Sequence, residues 1–113
     1  MIIPTVGKLP YAAYCLDQYG VLHDGVAPCP GAVELIERLR GEGKKLAILS
    51  NSSAGPEATL EKLYMAQAEG GLGFPSGCFD VAITSGGECA KYFINKLGAK
   101  EDGTPWKAVM FTW

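Results

Sequence analysis

A parallel, three-layer α/β fold is what this sequence predicts, on three observations. Short apolar runs alternate with segments of helical periodicity along its 113 residues. The first apolar run lacks strict in-and-out alternation, as a strand covered on both faces does. Two of the runs end abruptly on polar side chains, Asp17 and Ser50, where open α/β sheets present their ligand-binding groups.

The elements follow in order. Residues 1–10 read as an irregular lead-in, broken by Pro4, Gly7 and Pro10. Residues 11–16 form the first strand, taken as the central one. Asp17 to Gly25 then leaves the sheet in a tight excursion, with Gly20 and Gly25 supplying unusual backbone angles. Pro30 and Gly31 stand just ahead of a helix over 32–42, whose apolar face is Ala32, Leu35, Ile36 and Leu39. Gly41 and Gly43 stop it. The second strand covers 45–49 and ends in Ser50-Asn51-Ser52-Ser53.

Pro56 suits the first turn of a helix over 57–68, and Glu57 favours its positive end. The glycine-rich stretch 70–77 has neither the spacing nor the Lys-Ser/Thr pair of a nucleotide loop. It reads as a plain surface loop. A third strand covers 79–84. Ser85 and Glu88 have capping-box spacing, ahead of a helix over 88–97 with Ala90, Phe93, Ile94 and Leu97 on one face. A polar loop leads to a fourth strand at 108–112. Strands separated by helices imply right-handed crossovers and a parallel sheet.

Composition bounds the function. The length is that of one small domain. Hydrophobic residues make up 48% and charged residues 19%, as in globular proteins, and the net charge is -2. That balance argues against nucleic-acid or anionic-membrane partners. The longest apolar run is too short to span a membrane, and residues 1–4 begin no signal sequence. The expectation is a soluble, cytoplasmic protein. Cys15, Cys29, Cys78 and Cys89 include no C-x-x-C pair, and His23 is the single histidine, which argues against a structural zinc site. All four thiols read as reduced, with Cys15 packed in its strand and Cys29 and Cys78 accessible in loops.

Asp17 is the residue with the most chemical potential. A carboxylate at the carboxyl end of a strand can serve as nucleophile, metal ligand or both; it can also merely cap a turn. Four stretches set the context: Asp17 to Gly25, Pro30-Gly31-Ala32, Leu49 to Ser53, and Ile83-Thr84-Ser85-Gly86. In this order they resemble the haloacid dehalogenase superfamily, and in particular its NagD-like branch. The resemblance runs from about Tyr14 to the end of the chain.

That resemblance implies a Rossmann-like core and a magnesium-dependent phosphatase acting on a small phosphorylated molecule. Asp17 would attack phosphorus and become an aspartyl-phosphate. Mg2+ would take the second Asp17 oxygen and the Tyr19 backbone carbonyl. Ser50 and the donors around Asn51 would hold the phosphoryl oxygens.

The sequence departs from the family pattern in three ways. Tyr19 stands where the family's phosphatases carry an acid–base aspartate, and a phenol is a poor base at neutral pH. Asp24 at the turn tip is a nearby carboxylate, with nothing in sequence to place it in the site. Asp-x-Tyr-Gly also resembles the first motif of the haloacid dehalogenases, which attack carbon without a metal; a carbon–halogen substrate is the enzymatic alternative. Finally, the family's later lysine and acidic residues do not occur before Trp113, so residues 1–113 read as the N-terminal part of a longer hydrolase core. A catalytically silent binding or assembly module is the alternative of another class, and an unpaired sheet edge makes a homo-oligomer an expected partner.

Overall fold

A computed structural model describes residues 10–107 and 109. It contains three strands, β1 (Ala13–Leu16), β2 (Lys45–Ser50) and β3 (Val81–Thr84), and three α-helices, α1 (Ala32–Gly41), α2 (Pro56–Tyr64) and α3 (Ser85–Tyr92). A 3-10 turn covers Gln67–Glu69, and a π-helical turn, Phe93–Leu97, extends α3. The strand expected at 108–112 lies outside the described residues except for Val109, as does the lead-in except for Pro10.

The sheet is parallel, in the order β1-β2-β3. Leu16 stands opposite Ile48, and Ser50 opposite Thr84. Among the described residues β2 is therefore the middle strand, and β1 lies at an edge. Successive right-handed crossovers that advance in one direction set their helices on one face of a sheet. That face carries Leu46, Ile48, Ala82 and Thr84, all buried, with Ile36 and Leu39 of α1 and Leu63 of α2 packed into the same core. Each fully buried Leu or Ile contributes about 1.5–3 kcal/mol.

The other face carries Cys15, Leu49, Val81 and Ile83, all exposed. The described residues thus form two of the three layers, an α/β unit consistent with an incomplete Rossmann-like core. This corrects the reading of the cysteines. Cys15 points to the uncovered face, while Cys78 is 6% exposed within the core.

Two further expectations are corrected. Helix α2 begins at Pro56 but ends at Tyr64, short of residue 68. The glycine-rich stretch is no plain surface loop: Leu72 and Phe74 are buried in the core. The backbone N–H groups of Leu72 and Phe74 donate to the carbonyls of Lys62 and Leu63 at 3.0 and 2.9 Å, satisfying the carbonyls that a helix end leaves open. A side chain at Gly71 would collide with the Met65 carbonyl. Helix α3 begins at Ser85, and its cap is Thr84, not Ser85. Thr84 Oγ1 accepts the Gly87 N–H at 3.0 Å and donates to the Ala54 carbonyl at 2.7 Å. Glu88 pairs with Lys91 instead of closing a capping box. The expected apolar face of this helix is exposed, Ile94 at 72% and Phe93 at 48%, and joins no part of the core.

Candidate functional site

The site is built by two loops at the carboxyl ends of β1 and β2, and by one face of α2. Asp17 immediately follows β1. The next carbonyl, that of Gln18, accepts the N–H groups of Val21, Leu22 and His23 at 3.1, 2.8 and 3.2 Å. This winds the chain into a compact knot, with Gly20 at φ +79° as the turn requires. Leu22, 1% exposed, anchors the knot in the core.

His23 is fixed by the same knot and is 7% exposed. Its Nδ1 accepts the Gly25 N–H at 3.0 Å, so the neutral ring carries its proton on Nε2. That Nε2 is buried and has no hydrogen-bond partner. Burial lowers the His23 pKa, as does the Lys62 ammonium, against the opposing pull of Asp24 and Asp17.

Asp24 does not join the site. Its Oδ1 accepts the N–H groups of Val26 and Ala27, both at 2.8 Å, and these bonds hold its carboxyl below the usual range. It serves its own loop and does not line the cavity described next.

Ser50 is the last residue of β2. Asn51 follows, its Oδ1 accepting from Ser85 Oγ at 2.8 Å. Ser52 Oγ accepts the Ala54 N–H at 3.1 Å. The N–H of Gly86 donates to the Ser52 carbonyl at 2.9 Å, and a Cβ at Gly86 would run into Ser53. The glycine therefore lets α3 lie tightly against this loop.

A cavity of about 450 Å³ opens between these elements. It brings together all four residues singled out in the sequence, Asp17, Tyr19, Ser50 and Asn51, and adds His23 and Lys62. The volume suits a small molecule. Asp17 Oδ1 accepts the Gln18 N–H at 2.8 Å, and its other oxygen bonds to no described residue. The Tyr19 ring is 72% exposed and meets His23 edge-on, with centroids 6.3 Å apart.

Lys62, like His23, lines the cavity and was missed by sequence reasoning. It lies one helical turn after Ala58, and both line the cavity. The signal lay in that spacing, which becomes informative once α2 is known to turn this face to the loop after β1. Lys62 makes no ion pair with a described residue.

The donors available to a cation are oxygens. They are the Asp17 carboxylate and the Tyr19 carbonyl, to which no described N–H bonds. Among the described residues no cluster of three His, Cys, Asp or Glu side chains forms. This set fits a magnesium site that water and ligand oxygens complete, since magnesium takes hard oxygen donors and keeps several waters.

The fold and the site define an α/β protein with a carboxylate and a serine facing one crevice at the strand ends. The family described as haloacid dehalogenase-like hydrolase matches residues 14–104, and the chain belongs to that family. Among solved structures, a haloacid dehalogenase-like family hydrolase from Brucella suis 1330 is similar, with a TM-score of 0.60 and 27% identity. The similarity covers 75% of this chain and 29% of that one, so this chain spans less than a third of its length. Comparison with curated proteins gives no match. No helix of the described residues is long and apolar enough to cross a membrane.

Proposed function

We propose that this chain carries the nucleophile-bearing part of a NagD-like, magnesium-dependent phosphatase acting on a small phosphorylated molecule. The observation that carries this reading is the convergence of Asp17, Ser50 and Lys62 on one cavity. An Asp17 oxygen attacks phosphorus in line, the bond from phosphorus to the substrate oxygen breaks, and the departing alcohol takes up a proton. Water then cleaves the aspartyl-phosphate, releasing inorganic phosphate and restoring the carboxylate.

Ser50 Oγ and the Asn51 amide donate to the phosphoryl oxygens. Lys62, which lines the same cavity, supplies a positive charge close to them. Mg2+, held by the Asp17 carboxylate and the Tyr19 carbonyl, supplies further charge neutralisation when bound. The Tyr19 phenol is a proton donor to the leaving oxygen and not a base for the second step. Four unpaired thiols fit a reducing, cytoplasmic setting.

The test is hydrolysis of a generic aryl phosphate with and without magnesium, by this chain and by Asp17→Asn. Magnesium-dependent turnover lost in the variant supports the reading. Chloride release from chloroacetate without a metal, in place of phosphate release, would move the assignment to carbon–halogen hydrolysis.

A second reading is favoured by the uncovered sheet face with Leu49, Val81 and Ile83. Apolar surface of this kind marks association. On this reading the chain is an assembly module, and a homo-oligomer is its simplest product. Sedimentation equilibrium of the chain and of Ile83→Lys separates them: an oligomer dissolved by the charge, with no turnover in either, would favour assembly.

A further inference from the structure

The phosphatase reading uses the carbonyl and the hydroxyl of Tyr19 and gives no task to its ring. Tyr19 lines the cavity and is 72% exposed, so the ring adds little to the core. It is nonetheless fixed in place. Both peptides that flank Tyr19 are bonded to His23. The Gln18 carbonyl accepts the His23 N–H at 3.2 Å, and the Gly20 N–H donates to the His23 carbonyl at 2.8 Å. The two rings, of Tyr19 and His23, meet edge-on. A Cβ at Gly25 would stand 3.4 Å from Tyr19 Cε2, so that side of the ring lies beside bare glycine backbone. These contacts hold one side of the ring and leave most of its surface open.

The ring stands close to the nucleophile. Tyr19 follows Asp17 by two residues, so their Cα atoms are at most about 7 Å apart. An ester bound for attack by Asp17 therefore brings its organic part within reach of the Tyr19 side chain. The cavity, about 450 Å³, has room for more than a phosphate group, and Ala54 and Ala58 line it with short side chains.

We propose that the Tyr19 ring is a stacking platform that selects a planar, aromatic leaving group, so that aryl and heteroaryl phosphate esters are the preferred substrates. The inference rests on the reading of the cavity as a phosphoryl site, and it names the substrate class that this site takes. Asp17, Ser50 and Lys62 serve the phosphoryl group, which all such esters share. Tyr19 tells one ester from another. Two aromatic rings in offset or edge-to-face contact attract each other beyond the area they bury, and a saturated ring does not gain this.

The test is binding of phenyl-, cyclohexyl- and methylphosphonate, with magnesium present, by titration calorimetry. The proposed reaction does not break their carbon–phosphorus bond, so binding is read without turnover. The parent should bind methylphosphonate, and should bind phenylphosphonate about fivefold or more tighter than cyclohexylphosphonate. Tyr19→Phe keeps the ring and should keep this ratio. Tyr19→Leu keeps apolar bulk without the ring and should bring the ratio below about twofold. In NMR spectra of the parent, phenylphosphonate should shift the Tyr19 ring protons upfield, and cyclohexylphosphonate should not.

Equal affinity of the parent for the phenyl and cyclohexyl compounds, or a phenyl preference that survives in Tyr19→Leu, would overturn the platform. Methylphosphonate binding would then still support the phosphoryl site. Binding of none of the three would remove the phosphoryl site and the platform with it.

Discussion

Ser85 Oγ donates to Asn51 Oδ1 across 2.8 Å, tying the first turn of α3 to the loop that follows β2. With Oδ1 engaged, the amide keeps its NH2 for a ligand in the cavity. Replacing Ser85 by Ala should weaken inorganic phosphate binding by about threefold, the effect of losing one orienting hydrogen bond. Asn51→Asp removes the donor and adds a like charge, and should cost about tenfold or more. Titration calorimetry of both variants against the parent checks the order; an Asn51→Asp chain that binds phosphate as tightly as the parent would exclude the amide from the site.

Leu72 lies in a glycine-rich stretch yet is 1% exposed. Leu72→Ala should therefore lower stability by about 2–5 kcal/mol, as for other buried leucines. A surface-loop residue would change it by under about 0.5 kcal/mol. Urea unfolding monitored by circular dichroism distinguishes the two.

Much of the fold was legible because it rests on periodicity. Apolar runs with helical segments between them gave the three strands and the face of α1 that carries Ile36 and Leu39. Asp17 and the end of the second strand at Ser50 were legible because strand ends are where a parallel sheet presents side chains. Tyr19, Asn51 and the role of Ser50 came instead from the resemblance to the family; all four line one cavity. What escaped depends on tertiary partners. Leu72 and Phe74 resemble loop residues because glycines surround them, and the carbonyls of α2 that hold them are not local in sequence. Thr84 became the cap through Ala54, 30 residues away. His23 and Lys62 were invisible as site residues because their place follows from the knot after β1 and from how α2 lies beside it. Cys15 belongs in the interior only if the sheet is covered on both faces, and the described residues cover one.

Thiol reactivity should follow this asymmetry. Burial pushes the Cys78 thiol up to about 11, so it stays protonated and inert through neutral pH. Cys15 and Cys89 are exposed. Brief treatment of the native chain with iodoacetamide at mildly alkaline pH, followed by peptide mass mapping, should modify Cys15 and Cys89 and spare Cys78. Denaturant should abolish the difference.

Asp80 should give the chain part of its acid sensitivity. Its Oδ2 accepts the Leu46 N–H at 2.8 Å and an Arg40 N–H at 2.9 Å. The Leu46 bond, and then Arg40, lower its pKa in the folded chain. The unfolded chain therefore binds the proton more readily. This contribution to stability is fully present above the ordinary carboxylate pKa of about 3.9 and is lost as pH falls toward the lowered folded value. Asp80→Asn should be less stable at neutral pH and should lose less stability on acidification below about pH 4. Urea midpoints across that range test it; parallel profiles for the two chains would contradict it.

The role of Asp17 as the nucleophile at phosphorus is tested most directly by trapping the intermediate. The chain is mixed with an aryl phosphate and magnesium, quenched in acid and reduced with borohydride. The peptide containing residue 17 is then weighed. Reduction of an aspartyl-phosphate leaves homoserine, so homoserine is expected at position 17 in the parent and none in Asp17→Asn. An unmodified Asp17 in the parent while phosphate is released would contradict it.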